Sequence, residues 1–292
     1  MKSKKLHETQ DEVDLTWDRC KGVLAQKADR MGWALCVGAG SSRGLKKGVF
    51  PDWPALVKKL MRKDTVVSKP NHLHESLTAF GPDALIEAAK DRLKLSDDAF
   101  VQRLRELLYA DLRTKAGTQW DEIAKCLTAA SPAQQKRHQW KEFRTFFTSN
   151  YDALCALQLA KVIVQTSGTF LEPAAVVSFN AEPLLYALVN AERALSQGAE
   201  KVPKNLRMFN RVTRGISYQE AARLPYIFCH GLLEVDGGYK IFAETAASTE
   251  KLVFSEASYL RLANSAFSWQ SAVFLGTAVL RSPAVSEFVT SS

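Results

Sequence analysis

The sequence predicts an α/β fold, a buried parallel sheet flanked by helices with a helical lobe inserted between its strands, and three observations lead there. Short, largely apolar runs recur at Trp33-Ala34-Leu35-Cys36-Val37, Ala175-Val176-Val177-Ser178-Phe179, Tyr226-Ile227-Phe228-Cys229 and Val273-Phe274-Leu275. Such runs suit strands covered on both faces. Several alternate with helical segments, such as residues 183–195, as crossover connections between parallel strands require. The first run also passes straight into the glycine turn Gly38-Ala39-Gly40-Ser41-Ser42, the strand-to-turn junction through which α/β proteins grip phosphates.

Taken in order, Val13, Trp17, Cys20 and Leu24 recur at helical spacing and predict an amphipathic N-terminal helix within residues 1–30. After the glycine turn, Asp52-Trp53-Pro54 reads as an N-cap followed by an early helical proline, with Trp53, Leu56, Val57 and Leu60 on one apolar face. Residues 31–63 therefore form a strand, loop and helix unit. Residues 64–140 are helical and charged, with Phe100, Leu104, Leu107 and Leu108 on one stripe and breaks at Pro70, Gly81, Pro82 and Pro132; this is the expected lobe. Residues 141–292 return to the sheet, and further strand-like runs are read at Thr145-Phe146-Phe147-Thr148, Tyr239-Lys240-Ile241-Phe242 and Leu252-Val253-Phe254. The Lys-, Arg- and Asn-rich stretch 197–215 is expected to be a surface excursion, and no internal repeat or low-complexity tract occurs.

With 292 residues, 46% of them hydrophobic, the chain can bury one large core, and a single domain with an inserted lobe is expected. It opens Met1-Lys2-Ser3-Lys4-Lys5 and continues polar, unlike a signal peptide, and no run of about twenty apolar residues could span a bilayer. A soluble cytoplasmic protein with no membrane partner is the expectation. Five scattered cysteines, Cys20, Cys36, Cys126, Cys155 and Cys229, suit reduced core thiols, and the absence of a CxxC pair argues against a structural zinc. The formal charge of +8 comes from dispersed pairs such as Lys58-Lys59, Arg62-Lys63 and Lys136-Arg137-His138. Solvated helix faces explain it better than a nucleic-acid site, so nucleic acid is expected only as an indirect partner.

Three elements carry chemistry. The turn reads Gly38-x-Gly40-x-x-x-Gly44, one residue longer than the usual dinucleotide fingerprint, and a plain strand-to-helix turn has the same appearance. No acidic residue ends a second strand about twenty residues later, which counts against a nicotinamide dehydrogenase, and the Walker ending is absent. The second element is Val176-Val177-Ser178-Phe179-Asn180, an apolar strand delivering an amide to the carboxyl edge of the sheet, where it can bond ribose hydroxyls or instead cap the following helix. The third is His230-Gly231 after the strand at 226–229, which places an imidazole where it can act as a general base or serve structurally. His72 and His74 stand in a loop without a carboxylate or cysteine cluster, and His138 lies in a basic helix.

The ordered set Gly38-Ala39-Gly40-Ser41, Phe50-Pro51-Asp52-Trp53-Pro54-Ala55-Leu56, Ser178-Phe179-Asn180-Ala181-Glu182-Pro183-Leu184-Leu185, His230-Gly231, Val253-Phe254-Ser255-Glu256-Ala257-Ser258-Tyr259 and Phe274-Leu275-Gly276-Thr277 resembles the sirtuin-like domain of bacterial anti-phage defence proteins. The resemblance covers nearly the whole chain and is weakest over 64–140. It implies a Rossmann-like fold that binds NAD as substrate and hydrolyses it to nicotinamide and ADP-ribose, with no metal. It also implies that Gly38, Ala39, Gly40, Ser41 and Ser42 hold the phosphates and that Ser178 and Asn180 meet the nicotinamide ribose. His230 would then be the base, and Gly276 and Thr277 would touch the adenosine side. Two positions depart from the family pattern. Ala181 and Glu182 replace an aromatic and an aspartate, and Leu280-Arg281-Ser282-Pro283 stands where an acid is usual.

Thr148-Ser149-Asn150-Tyr151-Asp152 matches the family's asparagine motif even better over five residues, so Asn150 competes with Asn180. The stronger strand before Asn180 and its closer spacing to His230 favour Asn180. Because nicotinamide leaves readily from a carbon able to bear positive charge, cleavage needs orientation and electrostatic stabilisation more than strong acid catalysis. A true sirtuin deacylase would be expected to carry a four-cysteine zinc module, which is missing here. A non-catalytic NAD or ADP-ribose sensor or scaffold is the other alternative, and Ala181, Glu182 and Arg281 are its best support. Defence members of the family commonly act as triggered oligomers, so a homo-oligomer with a separate or fused sensing module is expected.

Overall fold

The structure is a computed structural model that describes residues 33–42, 49–61, 85–86, 88–128, 132–151, 154–169, 171–173, 175–202, 226–228, 232–235, 239–240 and 272–275. The N-terminal helix expected within residues 1–30, the strand at 252–254 and the excursion beyond residue 202 lie outside them.

Four short strands form one parallel sheet: β1 (Ala34–Val37), β2 (Ala175–Ser178), β3 (Tyr226–Phe228) and β6 (Ala272–Leu275). Their order is β3-β2-β1-β6. All four residues of β1 and all four of β2 are buried, which is why these segments read as unbroken apolar runs rather than as alternating ones. The register aligns Val37 with both Ser178 and Leu275. Two bonds extend the ladder past the strand ends, Phe179 N–H donating to Val37 O at 2.8 Å and Gly38 N–H donating to Leu275 O at 3.0 Å. Tyr239-Lys240 is a strand as expected, but it pairs antiparallel with Leu232–Leu233 in a separate two-stranded ribbon (β5 with β4). It does not extend the parallel sheet.

Helices make up most of the other described residues. Trp53–Met61 begins after Asp52, whose Oδ1 accepts Ala55 N–H at 2.9 Å and whose carbonyl accepts Leu56 N–H at 2.8 Å, the capping anticipated from Asp-Trp-Pro. Asp97–Ala116 starts at an extended Ser96, whose hydroxyl accepts Ala99 N–H, and carries Asp97 and Asp98 in its first turn. Those charges complement the positive end of the helix dipole. Phe100, Leu104, Leu108 and Leu112 recur every four residues and are buried. Gly117 ends that helix at φ 51°, a left-handed conformation that a side chain would strain.

One expected strand is a helix. Residues 145–148 fall inside the helix Arg137–Asn150, which also runs across the expected lobe boundary at 140. Thr and Phe favour strands over a four-residue window, but Trp140, Phe143 and Phe147 recur at helical spacing and are fully buried, and burial of that face decides the matter. The rings of Phe143 and Phe147 lie 4.8 Å apart, and Phe147 stacks on Tyr151 at 5.8 Å.

The helix Leu184–Ser196 is enclosed on almost every side: ten of its residues are buried, including Asn190 and Glu192. It packs against Leu154–Thr166 and Arg137–Asn150. Arg144 Nε reaches Glu192 Oε1 at 3.1 Å, and Arg137 donates to Leu195 O at 2.9 Å. The helix Arg137–Asn150, which crosses residue 140, therefore holds this central helix near its C-terminal end, while its N-terminal end lies at the carboxyl edge of the sheet.

Candidate functional site

The site begins where β1 and β2 stop together. Past Val37 the chain enters a single 3-10 turn, Ala39–Ser42, closed by Ser41 N–H and Ser41 Oγ, which both donate to Gly38 O, at 2.9 and 2.7 Å. In a turn of this kind the first amides, those of Ala39 and Gly40, have no acceptor within the turn. Ala39 and Gly40 are also its half-buried members, whereas Ser41 and Ser42 are buried. Neither Gly38 nor Gly40 has a positive φ, so a left-handed backbone is not what these glycines supply.

Past Ser178 the second strand turns under its own hydroxyl, which accepts Asn180 N–H at 3.1 Å and donates to Asn180 O at 3.4 Å. This bond makes Ser178 a brace of the turn. It brings Asn180, 8% exposed, against the glycine turn, where Nδ2 faces Gly38 O at 3.3 Å, Ser41 Oγ at 3.5 Å and Ser42 Oγ at 3.3 Å. A carbonyl can only accept, so the atom facing Gly38 O must be the NH2 group and the amide orientation is chemically determined. Its two hydrogens are shared among three oxygens, which leaves Oδ1 as the end of the amide still able to accept. Asn180 is not the cap of the following helix; that helix has Pro183 at its cap position and no side-chain cap bond there.

Glu182, absent from the expected site, completes the cluster. Its Oε1 accepts Ser42 O–H at 2.7 Å and its Oε2 accepts Leu184 N–H at 2.5 Å. The carboxyl thus joins the glycine turn to the first turn of the central helix. Burial pushes Glu182 up from 4.5 to about 7, against the lowering effect of the Ser42, Leu184 and Asn180 hydrogen bonds. Desolvation outweighs three favourable donors, and among the described residues no charged group adds to their effect. One sequence cue could have located it: an acid two residues before a helix start is placed to take a free helix amide.

The ribbon locks the cluster from the other side. Leu233 N–H donates to Ala181 O at 2.8 Å, and Leu233 O accepts the Tyr109 hydroxyl at 2.6 Å. Tyr109 lies on Asp97–Ala116, so the lobe reaches the Asn180 segment through one strand. Burial, then the nearby Glu182 and Glu234 charges, hold the Tyr109 hydroxyl well above its ordinary value; it stays neutral and donates.

His230, Gly276 and Thr277 lie outside the described residues. Their flanks do not. Phe228 is paired with Ser178 and Leu233 is bonded to Ala181, and Leu275 is the acceptor of Gly38. Asn150, the competing asparagine, ends its own helix: Nδ2 donates to Phe146 O at 3.0 Å and its carbonyl accepts Lys115 Nζ at 2.8 Å. His138 is exposed on the same helix.

A small cavity lies beneath the cluster, lined by Val37, Ser178, Asn180, Glu182, Tyr186 and Tyr226 among others, with room for about one water molecule. A dinucleotide does not fit in that space. Cys36, Cys126 and Cys155 are free thiols, and burial pushes Cys36 up to about 12, which makes it an inert core residue. Among the described residues, no group of three or more His, Cys, Asp or Glu is placed to hold a metal ion, and no helix is long and apolar enough to cross a membrane. Comparisons with protein-family models, with curated proteins and with solved structures each give no match.

Proposed function

We propose that the chain is an NAD+ glycohydrolase of Rossmann-like fold, related to the sirtuin-like effectors of anti-phage defence. The observation carrying this reading is the contact of Asn180 with the glycine turn across 142 positions of sequence. It joins two elements singled out independently as a phosphate grip and a ribose contact. The strand order supports it: β1 has β2 and then β3 on one side and β6 on the other, and the crevice at such a reversal is where open α/β sheets bind nucleotides. The Ala39 and Gly40 amides would receive the pyrophosphate and Asn180 Oδ1 a ribose hydroxyl. His230 follows Phe228 by two residues and precedes Leu233 by three, between two anchors on the Asn180 segment.

In the proposed reaction water attacks the anomeric carbon, the bond to nicotinamide breaks, and nicotinamide departs neutral with the bonding pair. His230 accepts the proton lost by water or by a ribose hydroxyl. Loss of such a base lowers turnover by about a hundredfold to ten-thousandfold. Nicotinamide release from NAD+ is the test, with His230→Ala and Asn180→Ala inactive and Asn150→Ala near parental. A parental rate in His230→Ala, or loss in Asn150→Ala with full activity in Asn180→Ala, overturns the assignment.

A second reading, an NAD or ADP-ribose binding module, is favoured by one observation: the Asn180 NH2 group and both Glu182 oxygens are spent on internal bonds. Calorimetry showing ADP-ribose binding without nicotinamide release, with the cognate partner present, selects it over the hydrolase. Action as a triggered cytoplasmic oligomer with a sensing partner belongs to the same proposal and rests on the resemblance alone.

A further inference from the structure

We infer that Glu182 is a positioning residue whose ionised carboxylate sets the direction of the Ser42 hydroxyl and so steadies the Asn180 amide, which Gly38 O orients, with Oδ1 presented as an acceptor to a ribose hydroxyl. The inference rests on the nucleotide-binding reading for its ligand but not for its geometry. Each bond in the relay has one permitted direction. Leu184 N–H can only donate, so Oε2 accepts. An ionised carboxylate can only accept, so the Ser42 hydroxyl must donate to Oε1. Ser42 Oγ is then left with lone pairs, which accept from Asn180 Nδ2. The amide, oriented by Gly38 O, gains Ser42 Oγ as a second acceptor for its NH2 and keeps its carbonyl oxygen on the other side. An acceptor in that place suits a sugar hydroxyl and repels a phosphate oxygen, which separates the ribose position from the phosphate position along the same turn.

Protonation rewires the relay. With Oε2 engaged by Leu184, the proton sits on Oε1 and points at Ser42 Oγ, so the Ser42 hydroxyl must swing its own hydrogen away. Among the described residues, Tyr109, from Asp97–Ala116, is held neutral, with Glu234 and Arg105 also acting on it. The glutamate titrates near neutrality because it is buried.

The experiment compares the full chain with Glu182→Gln, Glu182→Asp and Ser42→Ala. It reads amide hydrogen exchange across residues 38–42 at pH 6 and 8, ADP-ribose binding by calorimetry, and kcat and KM for NAD+. Exchange in the turn should accelerate roughly tenfold in Glu182→Gln and Ser42→Ala, the loss of one charge-assisted bond. ADP-ribose binding should strengthen from pH 6 to 8 in the parent, stay flat in Glu182→Gln, and recover its pH dependence in Glu182→Asp. The glutamine variant should lose kcat more than it raises KM. Unchanged exchange in both Glu182→Gln and Ser42→Ala, or a pH dependence of binding that survives Glu182→Gln, overturns the inference. Accelerated exchange in variants of a chain that neither binds ADP-ribose nor releases nicotinamide supports the tether and overturns the nucleotide reading instead.

Discussion

Replacing Glu182 by glutamine isolates the energetic consequence of burying this carboxyl. Folding raises this group from 4.5 to about 7, so between those values the folded chain holds a proton that the unfolded chain has lost. Stability therefore falls as pH rises through that window: the contribution is complete below 4.5 and gone above about 7. At about 1.4 kcal/mol per tenfold change in proton affinity, the difference amounts to about 3 kcal/mol. Glutamine keeps the size of the side chain and an acceptor for Leu184 N–H but carries no titrating proton. The stability of Glu182→Gln minus that of the parent should thus climb by about 3 kcal/mol between pH 4.5 and 8, measured by urea unfolding in steps of half a pH unit. Other titrating groups are common to both chains and cancel in the difference. A difference that is flat across this range, with two-state unfolding in both proteins, would refute the reasoning, since it would mean that the carboxyl is solvated or paired.

Two further outcomes follow from the packing. Tyr109→Phe removes the donor to Leu233 O at 2.6 Å and leaves a buried carbonyl without it. Unfolding free energy should fall by about 1–3 kcal/mol, with the pH dependence due to Glu182 retained; a change indistinguishable from zero would mean that water replaces the hydroxyl. Phe147→Ala empties a fully buried position between Phe143, Phe146 and Tyr151 and should cost about 3–5 kcal/mol, read by the same unfolding curves, whereas the exposed neighbour Thr148 should tolerate alanine.

The parts of the fold legible in the sequence are those whose burial is either complete or sustained at one period along the element. β1 and β2 announce themselves because both faces are covered, and Asp97–Ala116 does so because a fourfold-spaced stripe runs along its length. Residues 145–148 mislead because a short β-prone window outweighs a helical period visible only from Trp140 to Phe147. The pairing of Tyr239-Lys240 with Leu232-Leu233 is a choice between sheets, which local composition does not encode. For the site, the glycine turn and Asn180 could each be read alone, but Glu182 appeared only as a departure from a family pattern. Its partner Ser42 lies 140 positions away, and nothing in the local sequence of either residue names the other.

What brings them together is strand register, and this is the deeper constraint on the site. Val37 and Ser178 are opposite one another in β1 and β2, so the two chains leave the sheet at the same level, and one residue of overrun on one side meets two on the other. Sliding β2 by one residue would displace Asn180 by about 3.3 Å, more than the contacts at 3.3 to 3.5 Å with Gly38, Ser41 and Ser42 can absorb. Alternation of polar and apolar residues, which normally pins register, is unavailable in strands buried on both faces. The register is held instead at the ends, by Phe179 on Val37 and Gly38 on Leu275, and by the Ser42–Glu182 bond itself. The polar cluster at the carboxyl edge therefore does two tasks with the same atoms: it aligns the strands, and it shapes the glycine turn.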